Sequence, residues 1–119
     1  MIRKGRMVLK DLPREVLHLQ MQAAVENLRK NRMDAYLVSR KEDVVPQVRA
    51  LLHASDSVAV GGSETLKESG VLELLRSGDY RFIDRYAPGL TPEQVRRVFL
   101  DSLSADAYLC SANAVTMRG

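Results

Sequence analysis

The sequence has little of several residue types that commonly carry function. Its 119 residues include one cysteine, no tryptophan and only 5% aromatic residues. One cysteine cannot form an internal disulfide, which agrees with a reducing compartment. No apolar run approaches the roughly 18 residues that a membrane span requires, and residues 1–10 carry charges where a signal peptide has its apolar core. These absences predict a cytoplasmic protein with no membrane partner.

An excess of one charge is also missing, because 18 basic and 15 acidic residues leave a net charge of +3. The few aromatic residues do not interleave with a basic stripe, so we expect no binding of nucleic acid. Four basic residues lie within residues 1–10, which we interpret as a flexible, solvated arm. The length predicts a single domain over residues 1–119.

Residues at metal-ligand spacing are absent as well. His18 and His53 are far apart, and neither has a cysteine or a second histidine at the spacing of a metal site. Cys110 lies in an apolar segment, so we predict a buried, unreactive thiol. We expect neither a metal site nor a resident cofactor.

Apolar periodicity predicts four helices that alternate with four strands. The helices are expected over residues 12–32, from 39 or 43 to about 53, over 65–76 and over 91–103, and the strands over 35–39, 58–60, 80–84 and 106–111. Residues 58–60 are all apolar, which is typical of a parallel strand covered on both faces. The alternation predicts an α/β fold: a three-layer, open, mostly parallel sheet with helices on both sides.

Local signals sharpen several boundaries. Thr91, Pro92 and Gln94 form a capped helix start with proline in the first turn. Thr65 and Glu68 have the spacing of a second capping box, and the glycine at position 70 predicts a break in the helix that follows. Residues 34–39 and 106–111 nearly repeat each other, either through an ancient duplication or because two equivalent strands solve one packing problem.

The candidate ligand site follows the second predicted strand, because open parallel sheets bind ligands outside the carboxyl ends of their strands. Gly61 and Gly62 allow a ligand to approach the backbone and tolerate positive φ, and the start of the next helix favours an anion. Ser63 and Thr65 add hydroxyl groups, and Asn113, just past the last strand, can donate to a ligand oxygen. The same residues are also compatible with an ordinary capped turn.

Other residues near the strand ends leave alternatives open. Residues 39–41 and 111–116 are two further polar strand ends. Glu64 is either a reactive carboxylate for acyl transfer or an acidic residue placed favourably at a helix start. Tyr80 and Tyr86 flank the third strand and either line a cleft or have a structural role.

Three stretches together resemble one known family. They are residues 61–66 (GGSETL), 84–86 (DRY) and 111–116 (SANAVT). They resemble the LUD-domain, or lactate-utilisation, family, in the subgroup without iron–sulfur cysteines, and the similarity runs from the first helix to the last residue. The resemblance implies a fold similar to the ribose-phosphate isomerase and CoA-transferase group, and a role linked to oxidation of lactate or a similar hydroxy acid, often beside iron–sulfur proteins.

Matching motif positions gives a candidate pocket of Gly61, Gly62, Ser63, Thr65 and Asn113. Members of the family continue with further strands beyond the position of Gly119, so we expect a fragment or a shortened form. Its last strand would then present an uncovered edge, and we expect a homo-oligomer.

Three functions follow as hypotheses, and the sequence does not decide whether the protein is an enzyme. The first is binding of a small anionic metabolite linked to hydroxy-acid oxidation. The second is an acyl- or phosphosugar-handling enzyme with Glu64 as its reactive carboxylate. The third is a non-catalytic subunit of an iron–sulfur oxidoreductase complex, in which the partner supplies any cluster.

Overall fold

The computed structural model describes residues 13–119. The predicted basic arm, residues 1–10, lies outside the described residues. The chain divides into two compact units, which are described separately below. Unit 1 contains the residues up to Leu37 together with Asn113–Gly119, and unit 2 is Val38–Ala112. The expectation of a single domain stays a prediction.

Unit 1 is built on helix α1 (Arg14–Lys30), which confirms the predicted first helix with slightly shorter ends. Two asparagines of this unit hold the last residues of the chain. The side-chain amide of Asn27 donates to the carbonyl oxygen of Met117 at 2.6 Å, and that of Asn31 donates to the carbonyl oxygen of Arg118 at 3.2 Å. The helix and the terminal segment are therefore joined by hydrogen bonds between residues about ninety positions apart in sequence.

The strand predicted over residues 35–39 is wrong, because the structure has no strand there. The carbonyl oxygen of Ala35 accepts from Nε and Nη2 of Arg29, at 3.0 and 2.7 Å. A side chain thus satisfies the acceptor that a neighbouring strand would otherwise use. The β-propensity of this apolar run does not create a strand without a pairing partner.

Unit 2 carries the sheet and the helices that connect its strands. A 3₁₀ turn, Lys41–Asp43, leads into the first helix of this unit. In chain order the elements are α2 (Val44–Leu51), β1 (Ser57–Val60), α3 (Glu64–Glu68), α4 (Val71–Arg76), β2 (Arg81–Ile83), α5 (Pro92–Ser102) and β3 (Ala107–Leu109). Three of the four predicted strands are present, and they alternate with helices, which confirms the α/β fold.

The three strands form an open sheet in the order β2-β1-β3, and both pairs are parallel. Val58 of β1 stands opposite Phe82 on one side and Ala107 on the other, and Val60 stands opposite Leu109. The carboxyl ends of all three strands therefore lie at one edge of the sheet, and β1 is the central strand. The more specific likeness to the CoA-transferase group stays a prediction.

The core lies on one face of this sheet. Val58 belongs there to a buried cluster with side chains of α4, among them Val71 and Leu75, which are 0% and 1% exposed. From β1 to β2 the chain moves across the sheet in one direction, and from β2 to β3 it moves in the other. Right-handed crossovers therefore place the helices that follow β1 and β2 on opposite faces. Helix α5 accordingly covers the other face, beside Tyr108, but none of its residues is buried.

The start of α5 confirms the predicted capping box. The Thr91 hydroxyl oxygen accepts from the backbone N–H of Gln94 at 3.2 Å, and the Gln94 amide oxygen accepts from the N–H of Thr91 at 2.8 Å. Pro92 occupies the first helical position, where its missing N–H has no partner to lose.

The cap predicted at Thr65 is wrong. The Ser63 hydroxyl oxygen accepts from the N–H of Leu66 at 3.2 Å, so the cap of α3 lies two residues earlier. Ser63 has the extended backbone of a capping residue, with φ −152° and ψ 114°. The break predicted at Gly70 is confirmed, since this residue has φ 81° between α3 and α4.

Candidate functional site

The turn after β1 begins with a glycine that packing requires. The Gly61 N–H donates to the carbonyl oxygen of Leu109 at 2.8 Å and so extends the ladder to β3. A Cβ at this position would lie 3.1 Å from Oη of Tyr108 and 3.2 Å from Cβ of Cys110. The Tyr86 hydroxyl donates to the carbonyl oxygen of Gly61 at 3.4 Å. Gly61 thus connects the end of β1 with the end of β3 and with Tyr86 in the loop after β2.

Gly62 has no such requirement. It is exposed, its φ is not in the left-handed region, and no atom lies within 4 Å of the place where a Cβ would stand. Neither backbone conformation nor packing calls for glycine here. The open space above this residue leaves room for a ligand to approach the backbone, as the sequence predicts.

Ser63 and Glu64 line one depression of about 220 Å³, which we call the Ser63 depression. Its other members are Lys67, Leu72, Glu73, Arg76 and Tyr86. The Ser63 oxygen already accepts the capping bond, although its O–H is still able to donate. Two carboxylates, those of Glu64 and Glu73, offset the two cations of this lining, and one of these cations, Arg76, is already paired with Asp84 at 3.0 Å. The depression therefore has less excess positive charge for an anion than its cations alone suggest.

Thr65 lines a different depression of about 250 Å³, the Thr65 depression. It is formed by Val38, Ser39, Arg40, Lys41, Val44, Thr65, Glu68 and Ser69. The structure therefore brings together two of the three polar strand ends that the sequence indicates, residues 39–41 and the turn after β1. The first of these lacks its predicted strand but still supplies side chains beside Thr65.

The two cations of the Thr65 depression differ in their partners. Arg40 donates through Nε and Nη2 to both oxygens of Asp43, each at 2.9 Å. This hydrogen-bonded pair raises the pKa of the Arg40 guanidinium. Within residues 13–119, Lys41 takes part in no ion pair. Glu68 is the one carboxylate among the described residues of this lining, and Lys41 is the best donor there for an anion.

A third depression, about 350 Å³, opens between α5 and the sheet, and we call it the Arg85 groove. Its lining is Val60, Arg85, Val98, Phe99, Ser102, Leu103 and Tyr108. The guanidinium carbon of Arg85 lies 5.0 Å from the ring centre of Phe99 and 5.6 Å from that of Tyr86. Sequence reasoning proposes Tyr86 as a cleft residue but does not select Arg85, although the DRY stretch contains both.

Two further residues that the sequence singles out, Cys110 and Asn113, line none of these three depressions. Cys110 is exposed, so the prediction of a buried thiol is wrong. The residue follows the edge strand β3, in which burial alternates, and it shares the exposed face with Tyr108. Asn113 belongs to unit 1 and is exposed. Its pairing with the turn after β1 stays a prediction.

Neither a metal cluster nor a membrane-spanning helix occurs within residues 13–119. No three or more His, Cys, Asp or Glu side chains come together in a group that could hold a metal ion in this part of the chain. In the same residues, each helix is too short or too polar to cross a bilayer.

The comparisons with known proteins give one match. The sequence profile described as the LUD domain matches residues 21–119. That range contains the turn after β1 and the terminal segment with Asn113. No curated protein and no solved structure matches the chain.

Proposed function

The chain belongs to the LUD domain family, and from this premise we propose that it binds a small 2-hydroxy acid such as lactate in the Thr65 depression. Family membership indicates a protein related to lactate utilisation. The proposal adds the ligand class, its position and a link to its oxidation.

One observation carries the proposal: Lys41 and the hydroxyls of Ser39 and Thr65 line the same depression. A carboxylate pairs with an ammonium group through charge-assisted hydrogen bonds. A hydroxyl on the neighbouring carbon needs a partner that both donates and accepts, which serine and threonine provide. The chemistry of the lining therefore matches a small hydroxy acid better than a bare inorganic anion, which needs donors alone.

Gly62 lies outside the lining of the Thr65 depression and offers a separate, open approach to the backbone. It is exposed and has nothing within 4 Å of its missing side chain, so a ligand has free access to the turn. Ser63, with a free O–H, and Asn113 remain candidates for further contacts with the ligand. Binding in the Thr65 depression does not depend on either of them.

The link to oxidation follows from chemical balance. Conversion of a 2-hydroxy acid to the 2-oxo acid releases two electrons and two protons, which need an acceptor. In this proposal the acceptor is an iron–sulfur oxidoreductase partner, and the chain acts as the subunit that binds the substrate. The alternative role for Glu64 as a reactive carboxylate stays a prediction. Glu64 is exposed and lines the Ser63 depression.

The test is calorimetric titration of the full chain with lactate, glycolate, pyruvate and acetate. We expect lactate to bind more tightly than acetate, because acetate lacks the hydroxyl. Lys41→Met should weaken lactate binding by about tenfold or more, the usual effect of losing a charge-assisted hydrogen bond. Lys67→Met is the matched control, because Lys67 is an exposed lysine of the Ser63 depression.

Two results would contradict the proposal. One is binding of lactate that is unchanged in Lys41→Met. The other is the absence of binding by any hydroxy or oxo acid to a chain whose unfolding transition shows that it is folded. Thr65→Val adds a second check, since it removes the hydroxyl with little change of shape and should reduce the preference for lactate over acetate.

A further inference from the structure

We propose that the Arg85 groove is a second binding site, separate from the Thr65 depression, for an amphipathic carboxylate. The ligand class is a molecule with one carboxylate and an apolar body of about six to eight carbons, a size suited to a pocket at the small end of the usual range. The proposal does not depend on the function proposed above, because it uses other residues.

The shape of the groove suits an apolar body. The end of the central strand, at Val60, forms the floor, while the Val60 side chain itself belongs to the buried cluster on the face of α4. Val98, Phe99 and Leu103 of α5 and its C-terminal end form one wall, and Tyr108 of β3 forms another. The cavity of about 350 Å³ is therefore bounded mainly by apolar groups.

The walls of the groove are unusually exposed for apolar side chains. Phe99 is 50% exposed, Leu103 is 86% exposed and Tyr108 is 53% exposed. Contiguous apolar surface of this kind on a folded protein marks a binding site more often than isolated apolar residues do. Helix α5 thus presents an apolar face that the sheet covers only in part.

Arg85 is the one charged residue among the described residues of the lining. The neighbouring Arg76 pairs with Asp84 at 3.0 Å. Arg85, in contrast, forms no ion pair or side-chain hydrogen bond with any of residues 13–119, and lies beside the rings of Phe99 and Tyr86. Its planar guanidinium therefore keeps the donors that bind a carboxylate through two parallel hydrogen bonds.

Two hydroxyl groups, those of Ser102 and Tyr108, are the other polar side-chain groups of the lining. The Ser102 hydroxyl donates to the carbonyl oxygen of Val98 at 2.6 Å, so its proton is already used. The Tyr108 hydroxyl keeps its ability to donate. One cation at the rim of a mainly apolar groove is complementary to a ligand with one anionic end.

Charge also decides against a second copy of the chain as the occupant. A two-fold contact through this groove would bring Arg85 of one copy towards Arg85 of the other, because an isologous interface uses the same surface twice. Like charges brought together in an apolar contact oppose association. A small anion in the groove has no such cost.

The experiment compares three probes on the full chain by calorimetry: octanoate, 1-octanol and acetate. Octanoate has both the chain and the charge, whereas each of the other two has one of them. We expect octanoate to bind at least about tenfold more tightly than either. Binding of octanoate no tighter than that of 1-octanol would overturn the proposal.

Variants assign the binding to the groove. Arg85→Met keeps an unbranched apolar side chain beside Phe99. It should weaken the binding of octanoate by about tenfold and leave the binding of 1-octanol unchanged. Arg97→Met is the matched control, since Arg97 lies on α5 and pairs with Asp101 in solvent. Leu103→Ser, at a largely exposed position, should weaken the binding of both ligands. Unchanged octanoate binding in Arg85→Met would also overturn the proposal.

Two further measurements test where octanoate binds and whether the groove is an interface. Octanoate binding that is lost in Lys41→Met would place the ligand in the Thr65 depression and overturn the proposal. Sedimentation velocity tests the second copy: a dimer that octanoate dissociates and that Leu103→Ser abolishes would show that the groove is an interface between copies, against the proposal. A sedimentation coefficient unaffected by octanoate supports the small ligand.

Discussion

Ser57 and Asp106 join the amino ends of β1 and β3 through reciprocal hydrogen bonds. Oδ2 of Asp106 accepts from the Ser57 N–H at 2.8 Å and from the Ser57 hydroxyl at 2.6 Å. The Ser57 oxygen in turn accepts from the N–H of Asp106 at 3.0 Å. The bond from the Ser57 hydroxyl, then the bond from its N–H, and the nearby charge of Arg81 lower the pKa of Asp106.

This lowered pKa predicts the direction of a pH effect on stability. The carboxylate is favoured in the folded state, so its stabilisation is present above the unfolded pKa, near 3.8, and is lost as pH falls through the folded pKa. Urea unfolding should therefore show Asp106→Asn to be less stable than the wild type at pH 7, with a difference that shrinks below about pH 4. Ser57→Ala should reduce the same pH dependence, because it removes the hydroxyl donor and keeps the N–H donor. A difference that grows at low pH would contradict the assignment.

The two glycines of the turn after β1 should respond differently to the same substitution. Gly61→Ala places a Cβ at 3.1 and 3.2 Å from Tyr108 and Cys110, so it should reduce the free energy of unfolding by about 1 kcal/mol. Gly62→Ala meets no atom and should change it by less than about 0.5 kcal/mol. Equal stabilities of the two variants would refute the packing argument.

Gly70 separates α3 from α4 by a left-handed backbone. Its φ is 81°, and a Cβ there would make only an ordinary 3.6 Å contact with Val45. Gly70→Ala should therefore destabilise by about 1 kcal/mol through backbone strain alone. Gly70→Asn should cost less, because asparagine enters this region more readily. Chemical denaturation of both variants measures the difference, and an alanine variant as stable as the wild type would argue against the strain.

Burial predicts a contrast between two leucines. Leu75, 1% exposed, lies in the core between the sheet and its helices, so Leu75→Ala should reduce the free energy of unfolding by about 2–5 kcal/mol. Leu103, 86% exposed, should lose less than about 0.5 kcal/mol on the same change. Thermal and urea unfolding provide the comparison. A large loss at Leu103 would mean that the groove is covered in solution.

The near-repeat in the sequence shows what sequence patterns predict and what they do not. Residues 34–39 and 106–111 have almost the same side chains, and the pattern predicts a strand in each. Only the second forms one, because Ala107–Leu109 pairs with β1, whereas the Ala35 carbonyl is taken by Arg29. Propensity is a property of the segment, but pairing depends on what the rest of the chain places beside it.

Local chemistry is more informative where it is self-contained. The Thr91 capping box forms as predicted, and so does the break at Gly70, because each depends on a few adjacent residues. The cap at Ser63 escapes prediction because Thr65 and Glu68 offer an equally good local pattern.

The sequence locates the candidate site only in part. It indicates the turn after β1, and the structure adds the polar segment with Lys41 beside Thr65. The open space at Gly62 and the stacking of Arg85 on Phe99 depend on tertiary placement. No spacing rule in the sequence reports them.

The hydrogen bonds from Asn27 and Asn31 to the terminal segment have a consequence for the order of assembly. All pairings of the parallel sheet lie within Val38–Ala112, a continuous stretch. Unit 1 instead needs both a segment translated early and one translated late, so the loop that it closes contains the whole sequence of unit 2. The contacts of α1 with the terminal segment are therefore of longer range in sequence than any pairing of the sheet, and contacts of such long range are the slow ones in folding.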